Sequence, residues 1–323
     1  MQKVNWGILG LGKIADKVSG DILLAKQSNI YAVASRSEEK AKAFAEKFNA
    51  QKYFSSYEEL VQCSDVDVVY VATPHVFHFE HAMLALKHGK HVLCEKPLGM
   101  NVKQVEALIT EALKQQVFLM EGLWTRFVPA TKKMLEWVDA GLIGEIISVK
   151  ADFGFKAEYN PDGRLFNKNL GGGSLLDIGI YPAYLSLLLL GLPKEIKATA
   201  RMTDTGVDSY FSALCEYENG AVATLESTTE ADTPIEGYIY GTKGFIKMHS
   251  RFHHTEKLTL NIYNKSEEII ELPYKGEGYV HEIDEVNDCI TGGKVESDLL
   301  PITTSKQLAN LLDQIRMIIN LNY

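Results

Sequence analysis

The sequence predicts a two-domain α/β protein: an N-terminal doubly wound parallel sheet and a C-terminal α+β domain built on a large, mainly antiparallel sheet. Short apolar runs alternate with helical patterns as far as residue 120, which is typical of parallel βα units. From Glu195 onward strand patterns dominate, and short turns such as 218–220 join several of them. We expect the domains to be 1–122 and 123–323.

Hydrophobic periodicity and helix caps place the individual elements. Continuous apolar runs predict buried strands, and Ser37 and Ser56 are placed to cap helices, Ser56 with Glu59 three residues later. The predicted strands are 4–9, 30–35, 66–72, 91–94, 117–120, 145–155, 197–202, 210–217, 221–227, 238–240, 245–248, 258–263 and 268–272. The predicted helices are 13–26, 38–48, a short one after Ser56, 77–88, 102–115, 130–140, one ending near 190, 280–291 and 303–319.

Composition and charge exclude several classes of partner. The formal net charge of −9 argues against a nucleic-acid or anionic-membrane partner, because phosphate groups would be repelled overall. The longest apolar run, 185–190, is too short to span a bilayer. The four cysteines are scattered without metal-ligand spacing, and the N-terminus leads directly into a strand pattern. We therefore expect a cytoplasmic protein with reduced thiols and a small-molecule substrate.

A glycine-rich turn lies between the first strand and the first helix. Its glycines allow a tight turn and the close approach of a pyrophosphate, which would meet the positive N-terminus of the helix. Because the strand, the helix and further βα units are all in place, the pattern predicts a Rossmann dinucleotide site. The residues of this turn are Gly10, Gly12, Lys13, Ile14 and Ala15.

The end of the second strand indicates which dinucleotide binds. An NAD enzyme needs Asp or Glu there to hold the ribose 2′-hydroxyl. This chain has Ser35, Arg36 and Ser37, with Lys40 one turn later. Cations and hydroxyls without an acid suit a 2′-phosphate, so NADP(H) is favoured over NAD(H). The alternative is that Arg36 is merely solvated and that the cofactor is NAD.

A charged pair, Glu95 and Lys96, ends the fourth strong strand pattern, at the kind of position where open α/β sheets bind ligands. Lysine there can hold a substrate hydroxyl or shift the pKa of a neighbouring group. A surface ion pair of little energetic value is the alternative.

Four motifs together resemble the glucose-fructose oxidoreductase/inositol dehydrogenase (Gfo/Idh/MocA) family over essentially the whole chain. The segment 120–127 further resembles the branch with dimeric dihydrodiol dehydrogenases and NADP-dependent sugar dehydrogenases. The motifs are Gly10-x-Gly12-x-x-Ala15, Ala72-Thr73-Pro74-x-x-x-His78, the run from Gly89 to Pro97, and Gly171-Gly172-Gly173-x-x-x-Asp177-x-Gly179-x-Tyr181.

The resemblance implies that Lys96 and Tyr181 flank the nicotinamide and the reacting carbinol. A tyrosine with a pKa of about 10 is a poor base at neutral pH, but an adjacent lysine cation favours the phenolate. Asp177, four residues before Tyr181, would orient the substrate or Lys96. Pro182 indicates that the helix begins just before Tyr181 or bends there. The alternatives are a half-buried aromatic for Tyr181 and a helix cap for Asp177.

The resemblance also implies the remaining site residues. Cofactor-lining positions are Thr73, Pro74, His75, His78 and Glu95, and substrate-lining positions are Trp124, Arg126 and Phe153. The three aromatic or cationic substrate positions suit a cyclic diol or a pyranose, but the aromatics could equally be sheet core. His75, His78 and His81 lack a suitably placed carboxylate or cysteine, so we expect no metal.

These observations predict an NADP(H)-dependent oxidoreductase acting on a cyclic polyol, sugar or dihydrodiol. A non-catalytic NAD(P)-binding sensor or regulator on the same fold is the main alternative, because fold does not fix function. A dehydratase or glycosidase with tightly held NAD⁺ is disfavoured by the basic surroundings of Arg36. Relatives pair through the open face of the C-terminal sheet, so we expect a homodimer or a dimer of dimers.

Overall fold

A computed structural model describes residues 3–323, and these form two compact units. The first unit comprises the chain up to Phe127 together with Tyr274–Lys306. The second comprises Val128–Pro273 and Gln307–Tyr323. The units therefore differ from the two continuous ranges expected from the sequence, because a late segment of the chain belongs to the first unit.

The first unit contains the predicted parallel sheet, which confirms this part of the fold class. Its six strands run in the order β3-β2-β1-β4-β5-β6, and all the pairs are parallel. The strands are β1 (Val4–Leu9), β2 (Ser28–Ala34), β3 (Lys52–Phe54), β4 (Val68–Val71), β5 (His91–Glu95) and β6 (Leu119–Gly122), and the intervening helices are α1 (Lys13–Leu24), α2 (Glu38–Phe48), α3 (Tyr57–Gln62), α4 (His78–Lys87) and α5 (Val102–Gln115).

Side-chain caps begin three of these helices. Ser37 accepts a hydrogen bond from the backbone N–H of Lys40, and Ser56 accepts one from Glu59, as predicted. Asn101 does the same for Gln104 at the start of α5. Each cap satisfies a backbone donor that the first turn of a helix leaves without a partner.

The second unit contains an eight-stranded sheet in the order β14-β13-β12-β11-β7-β10-β9-β8. Its pairs are antiparallel except for β7 with β10, so the predicted mainly antiparallel sheet is confirmed. The elements are α6 (Pro129–Asp139), β7 (Ile146–Gly154), α7 (Ile180–Leu190), β8 (Glu195–Met202), β9 (Asp208–Glu216), β10 (Val222–Thr228), β11 (Gly237–Gly241), β12 (Gly244–Met248), β13 (Lys257–Ile262) and β14 (Glu268–Glu271).

The two faces of this sheet differ in burial. α7 packs against β7 and β10, and its residues from Ile180 to Leu187 are all buried. Along β10, Ala223 and Leu225 are buried on the side that α7 covers, whereas Thr224 and Glu226 alternate with them and are partly exposed. The period of two is that of a strand with one covered face.

By length and composition alone, the helical segment Lys168–Leu190 is long and apolar enough to cross a membrane. The six-residue run considered in the sequence is shorter, because 3₁₀ and π-helical turns precede α7 and extend the segment. However, 83% of its most apolar stretch is buried inside the protein, and a buried core helix can have the same length and composition.

Two helices complete the chain, α8 (Val280–Thr291) and α9 (Ile302–Ile318). The Asp21 carboxylate in α1 accepts hydrogen bonds from the backbone N–H groups of Glu277, Tyr279 and Val280. The Trp6 indole donates to the Asn287 side chain at 3.2 Å. These buried contacts explain why the segment with α8 belongs to the first unit.

Candidate functional site

The predicted cofactor residues lie at one edge of the parallel sheet. Because all six strands run in the same direction, the segments that follow β1, β2, β4 and β5 meet at the carboxyl edge. Those segments carry the glycine-rich turn, Ser35 to Lys40, Thr73 to His78, and Glu95 with Lys96. The structure thus brings these four groups together, while their roles in cofactor binding remain predictions.

Gly10 is required by local geometry. Its φ is +91°, and a Cβ there would lie 2.7 Å from Cγ2 of Thr73, so a side chain would push the β4 loop away. At Gly12 the situation is different, because a Cβ would meet no atom of the described residues within 4 Å. Packing among those residues therefore does not explain the second glycine, whereas the approach of a ligand to the backbone would.

A cavity of about 610 Å³ opens beside the ends of β2 and β4. It contains the predicted residues Arg36, Thr73 and Pro74 in its lining. The wall is completed by side chains that were not predicted as cofactor contacts, among them Ser56, Tyr57, Phe77 and His81. A basic residue, hydroxyls and aromatic rings around one cavity can receive an aromatic base joined to a phosphorylated sugar.

His81 forms the buried side of this cavity. Its Nδ1 lies 3.0 Å from Oγ1 of Thr73, and its ring meets that of Tyr57 edge-on at 4.7 Å. Burial lowers the pKa of His81, the Glu80 carboxylate opposes that shift, and the Arg36 cation adds to it. Arg36 itself is exposed, as are Ser37 and Lys40, whereas Ser35 is buried.

Lys96 is partly exposed at the end of β5, and its bond to Pro97 is cis. The following peptide is held by His78, whose Nδ1 lies 2.7 Å from the Pro97 carbonyl oxygen and whose Nε2 lies 2.7 Å from that of Thr73. Burial lowers the pKa of His78 to about 4, although both carbonyl contacts oppose the shift. A neutral imidazole has a single N–H, so it donates to one of these carbonyls at a time.

Glu95 and His75 are buried. The Tyr70 hydroxyl donates to Oε1 of Glu95 at 2.6 Å, and burial followed by this carboxylate raises the pKa of Tyr70 well above its usual value. This contact gives Glu95 a role inside the first unit in addition to the cofactor contact that the resemblance implies.

The second unit presents Asp177 and Tyr181 on one helical segment. A π-helical turn, Leu175–Gly179, carries Asp177, and regular α-helix begins at Ile180. The expected start just before Tyr181 therefore describes α7, in which Pro182 occupies the first turn. Single π turns in helices are frequently found at functional sites.

Arg164 is the charged partner of Asp177, which the sequence did not indicate. Its two terminal nitrogens donate to Oδ1 and Oδ2 of Asp177 at 2.7 and 3.0 Å. A bidentate pair fixes the orientation of a carboxylate as well as its charge. Asp177 is 7% exposed, so this orientation is maintained in a mostly buried setting.

Asp208 holds the beginning of the π-helical turn. Its Oδ2 accepts hydrogen bonds from the Ser174 hydroxyl and the Leu175 backbone N–H, each at 2.7 Å. The glycines of the surrounding motif permit this packing: a Cβ at Gly173 would lie 2.3 Å from Oδ1 of Asp208, and one at Gly179 would lie 2.3 Å from the Phe211 ring. The glycine pattern of this motif thus follows from close packing under Asp177 and Tyr181.

Tyr181 belongs to a three-ring cluster with Phe153 and His253. Ring centroids of Tyr181 and Phe153 are 5.7 Å apart, and His253 lies 4.5 Å from each of them. Phe153 and Tyr181 were predicted as site residues from the sequence, but His253 was not. His253 lies in a 3₁₀ turn between β12 and β13.

Trp124 and Arg126 lie in the first unit, where contacts within that unit fix both. The Trp124 ring stacks on Tyr279 with centroids 4.2 Å apart, and Nε of Arg126 donates to the Leu299 carbonyl at 2.8 Å. These contacts show a packing role, and the predicted substrate contacts of both residues stay predictions.

Among residues 3–323, no group of three or more His, Cys, Asp or Glu side chains is arranged to hold a metal ion. Cys63, Cys94, Cys215 and Cys289 are all buried and free of disulfides.

Comparison with family models assigns both parts of the chain. Residues 4–123 match the model described as an oxidoreductase family with an NAD-binding Rossmann fold. Residues 131–247 match the Gfo/Idh/MocA C-terminal domain.

Individual relatives match over nearly the full length. A trans-1,2-dihydrobenzene-1,2-diol dehydrogenase from Mus musculus is 34% identical, and the alignment covers 99% of this chain and 98% of the relative. The 3-ketoreductase KijD10 from Actinomadura kijaniata, solved with NADP and TDP-benzene, superposes with a TM-score of 0.88 at 29% identity, covering 98% of each chain. The aldose-aldose oxidoreductase from Caulobacter crescentus, solved with glycerol, gives 0.90 at 25% identity, covering 99% of this chain and 98% of the other.

Replacing Asp208 tests its position under the π-helical turn. Burial raises the pKa of Asp208 from 3.8 to about 6, so the folded protein binds its proton more tightly than the unfolded chain does. Its contribution to stability is therefore fully present below about pH 4 and is lost as the pH rises through about 6. Asp208→Asn keeps an acceptor oxygen without the charge, so urea unfolding should show wild type losing up to roughly 3 kcal/mol relative to this variant between pH 4 and 7.

The matched variant Asp208→Ala removes the acceptor from two buried donors and should lower the free energy of unfolding by about 2 kcal/mol or more at every pH. Identical pH dependence of wild type and Asp208→Asn would contradict the assigned role.

Proposed function

Because the chain belongs to the Gfo/Idh/MocA family of oxidoreductases, we propose that it is an NADP(H)-dependent enzyme that transfers a hydride between the nicotinamide and a CH–OH group of a cyclic polyol, sugar or dihydrodiol. The observation that carries the proposal is the meeting of the glycine-rich turn, the cavity beside Arg36 and the Lys96 segment at one edge of the parallel sheet. The named activities of the relatives support a diol or sugar as substrate.

The residues fit the cofactor proposed. The backbone at Gly12 is accessible, and Gly12 begins α1 without a side-chain cap, so the N–H groups of the first turn can meet a pyrophosphate. The cavity with Tyr57, Phe77 and Arg36 can take the adenosine half. When bound, NADP⁺ supplies the hydride acceptor.

Tyr181 serves as the acid-base group in this proposal. Its phenolate takes the alcohol proton during oxidation, and the resulting phenol returns a proton during reduction. Lys96 orients the substrate oxygen, and its cation stabilises negative charge on that oxygen and on the phenolate. Asp177, held in orientation by Arg164, accepts a hydrogen bond from a further substrate hydroxyl or from Lys96.

NADP(H) is proposed in preference to NAD(H) on the charge at the end of β2. Arg36 is exposed at the cavity and follows the strand directly, and the neighbouring positions are hydroxyls and a lysine. A 2′-phosphate gains charge-assisted hydrogen bonds there. A ribose 2′-hydroxyl would need a carboxylate at the end of β2, and the nearest ones in the sequence are Glu38 and Glu39, which belong to the following helix.

We also propose a cytoplasmic homodimer, or a dimer of dimers, that pairs through the uncovered face of the eight-stranded sheet. This face carries Tyr238 and Tyr240, whose rings stack at 5.6 Å, with Lys247 positioned over the first ring. Aromatic side chains and partly exposed aliphatic ones such as Val222 give it the composition of an interface.

Light scattering at micromolar concentration should give twice or four times the chain mass of 36.0 kDa. Charging the face with Tyr240→Lys should reduce that mass, whereas Tyr53→Lys, at an exposed position on β3 of the first unit, serves as a surface control. A stable wild-type monomer would remove the inference.

Tyr181→Phe and Lys96→Met should each lower kcat by about 10²- to 10⁴-fold, because each removes a group that moves or stabilises charge on the substrate oxygen. NADPH affinity, measured by the quenching or enhancement of nicotinamide fluorescence, should remain within a few-fold of wild type. Near-normal turnover in either variant would refute the assignment of that residue.

Cofactor choice is tested by steady-state kinetics and binding with NADPH and NADH. Arg36→Glu should weaken NADPH binding by at least about 10- to 100-fold, the value of the lost charge-assisted hydrogen bond, and leave NADH binding unchanged or tighter, because the new carboxylate can accept a hydrogen bond from the ribose 2′-hydroxyl. Lys42→Glu makes the same charge change on exposed α2 and is the control. A strong preference of the wild-type protein for NADH would overturn the proposal for NADP(H).

A further inference from the structure

Glu121 lies at the end of β6, next to the strand that carries Lys96. In the parallel pairing of β5 with β6, Glu121 is opposite Cys94 and Gly122 is opposite Glu95. Glu121 is 3% exposed, so a carboxyl group is buried beside the proposed catalytic lysine. Burying a carboxyl is unfavourable unless neighbouring groups compensate it, which makes its contacts informative.

The contacts of Glu121 are with the segment that follows Lys96. Its Oε1 accepts the Leu98 backbone N–H at 2.8 Å. Proline has no N–H, so this is the first backbone donor after the lysine. The Ser305 hydroxyl lowers the pKa of this carboxyl. Its Oε2 is buried with no hydrogen-bond partner among residues 3–323.

Glu121 and His78 hold opposite ends of one peptide group. The Leu98 N–H and the Pro97 carbonyl belong to the same planar unit, and His78 contacts that carbonyl at 2.7 Å. Two buried side chains from α4 and β6 therefore fix the peptide that immediately follows Lys96-Pro97, and with it the direction in which the lysine leaves the backbone.

The charge of Glu121 changes in the physiological range. Burial raises the pKa of Glu121 to about 7, while Ser305, the Leu98 N–H and the Lys96 cation lower it and Glu95 raises it. Burial raises the pKa of the Cys94 thiol well above its usual value, and the Glu95 and Glu121 carboxylates add to that shift. A carboxyl with this pKa is mainly neutral at pH 6 and mainly ionised at pH 8.

We infer that Glu121 is a positioning residue for Lys96: its carboxyl group anchors the peptide that follows the lysine, and its negative charge holds the ammonium group in its catalytic orientation. This inference rests on the function proposed above and adds a residue to it. Asp177, the other carboxylate invoked, belongs to the second unit, whereas Glu121 acts from within the first.

The test compares Glu121→Gln with wild type at two pH values. The amide keeps an acceptor for the Leu98 N–H but cannot ionise, so kcat/KM should match wild type at pH 6 and fall about tenfold below it at pH 8. Glu121→Asp, too short to reach Leu98, should be impaired at both pH values. Glu136→Gln, with an exposed side chain on α6, is the control and should match wild type throughout.

A readout without turnover separates this inference from the proposed function. The ¹³Cε resonance of Lys96, assigned as the signal missing from Lys96→Met, should shift with a midpoint near pH 7 in wild type and not in Glu121→Gln. A ratio of kcat/KM that does not change with pH, or a resonance insensitive to Glu121→Gln, would overturn the inference. If Glu121→Gln does not fold, the wild-type titration decides, and the absence of a midpoint near pH 7 overturns it.

Discussion

The common direction of the six strands in the first sheet is the constraint on which the proposed site depends. Parallel strands end at one edge, so four segments far apart in sequence present the glycine-rich turn, the basic loop, the histidine loop and the lysine side by side. The order of the strands places the change of winding direction between β1 and β4. Gly10, in contact distance of the Thr73 loop, shows how closely the two segments pack there.

Buried polar groups fix both functional segments. His78 and Glu121 hold the peptide after Lys96, and Asp208 holds the turn that carries Asp177. Burial destabilises the ionised form of each carboxyl and so raises its pKa, to about 7 for Glu121 and about 6 for Asp208. Buried carboxyl groups of this kind lower the stability of the fold but fix the local geometry. Such departures from a purely apolar core are common at functional sites.

Local signals in the sequence predicted most of the fold. Apolar runs identified the long strands, and serine caps identified α2 and α3, because both depend on neighbouring residues. β3 was not predicted, because it has only three residues and these are largely exposed, so it has no apolar run. The late return of the chain to the first unit depends on contacts such as that of Asp21 with Tyr279, 258 positions apart, for which no local pattern exists.

The site residues could likewise be predicted only in part. Lys96 and Asp177 belong to recognisable sequence motifs, whereas the roles of Arg164, Asp208 and His253 follow from contacts with residues distant in sequence. The account as a whole is tested by mixing the protein with NADP⁺ and aldoses, inositols or dihydrodiols, or with NADPH and 1,5-anhydrofructose, and following the nicotinamide absorbance. It predicts that at least one cyclic substrate is oxidised or reduced, with loss of the signal in Tyr181→Phe; tight cofactor binding without reaction across the panel would contradict it and indicate a regulator.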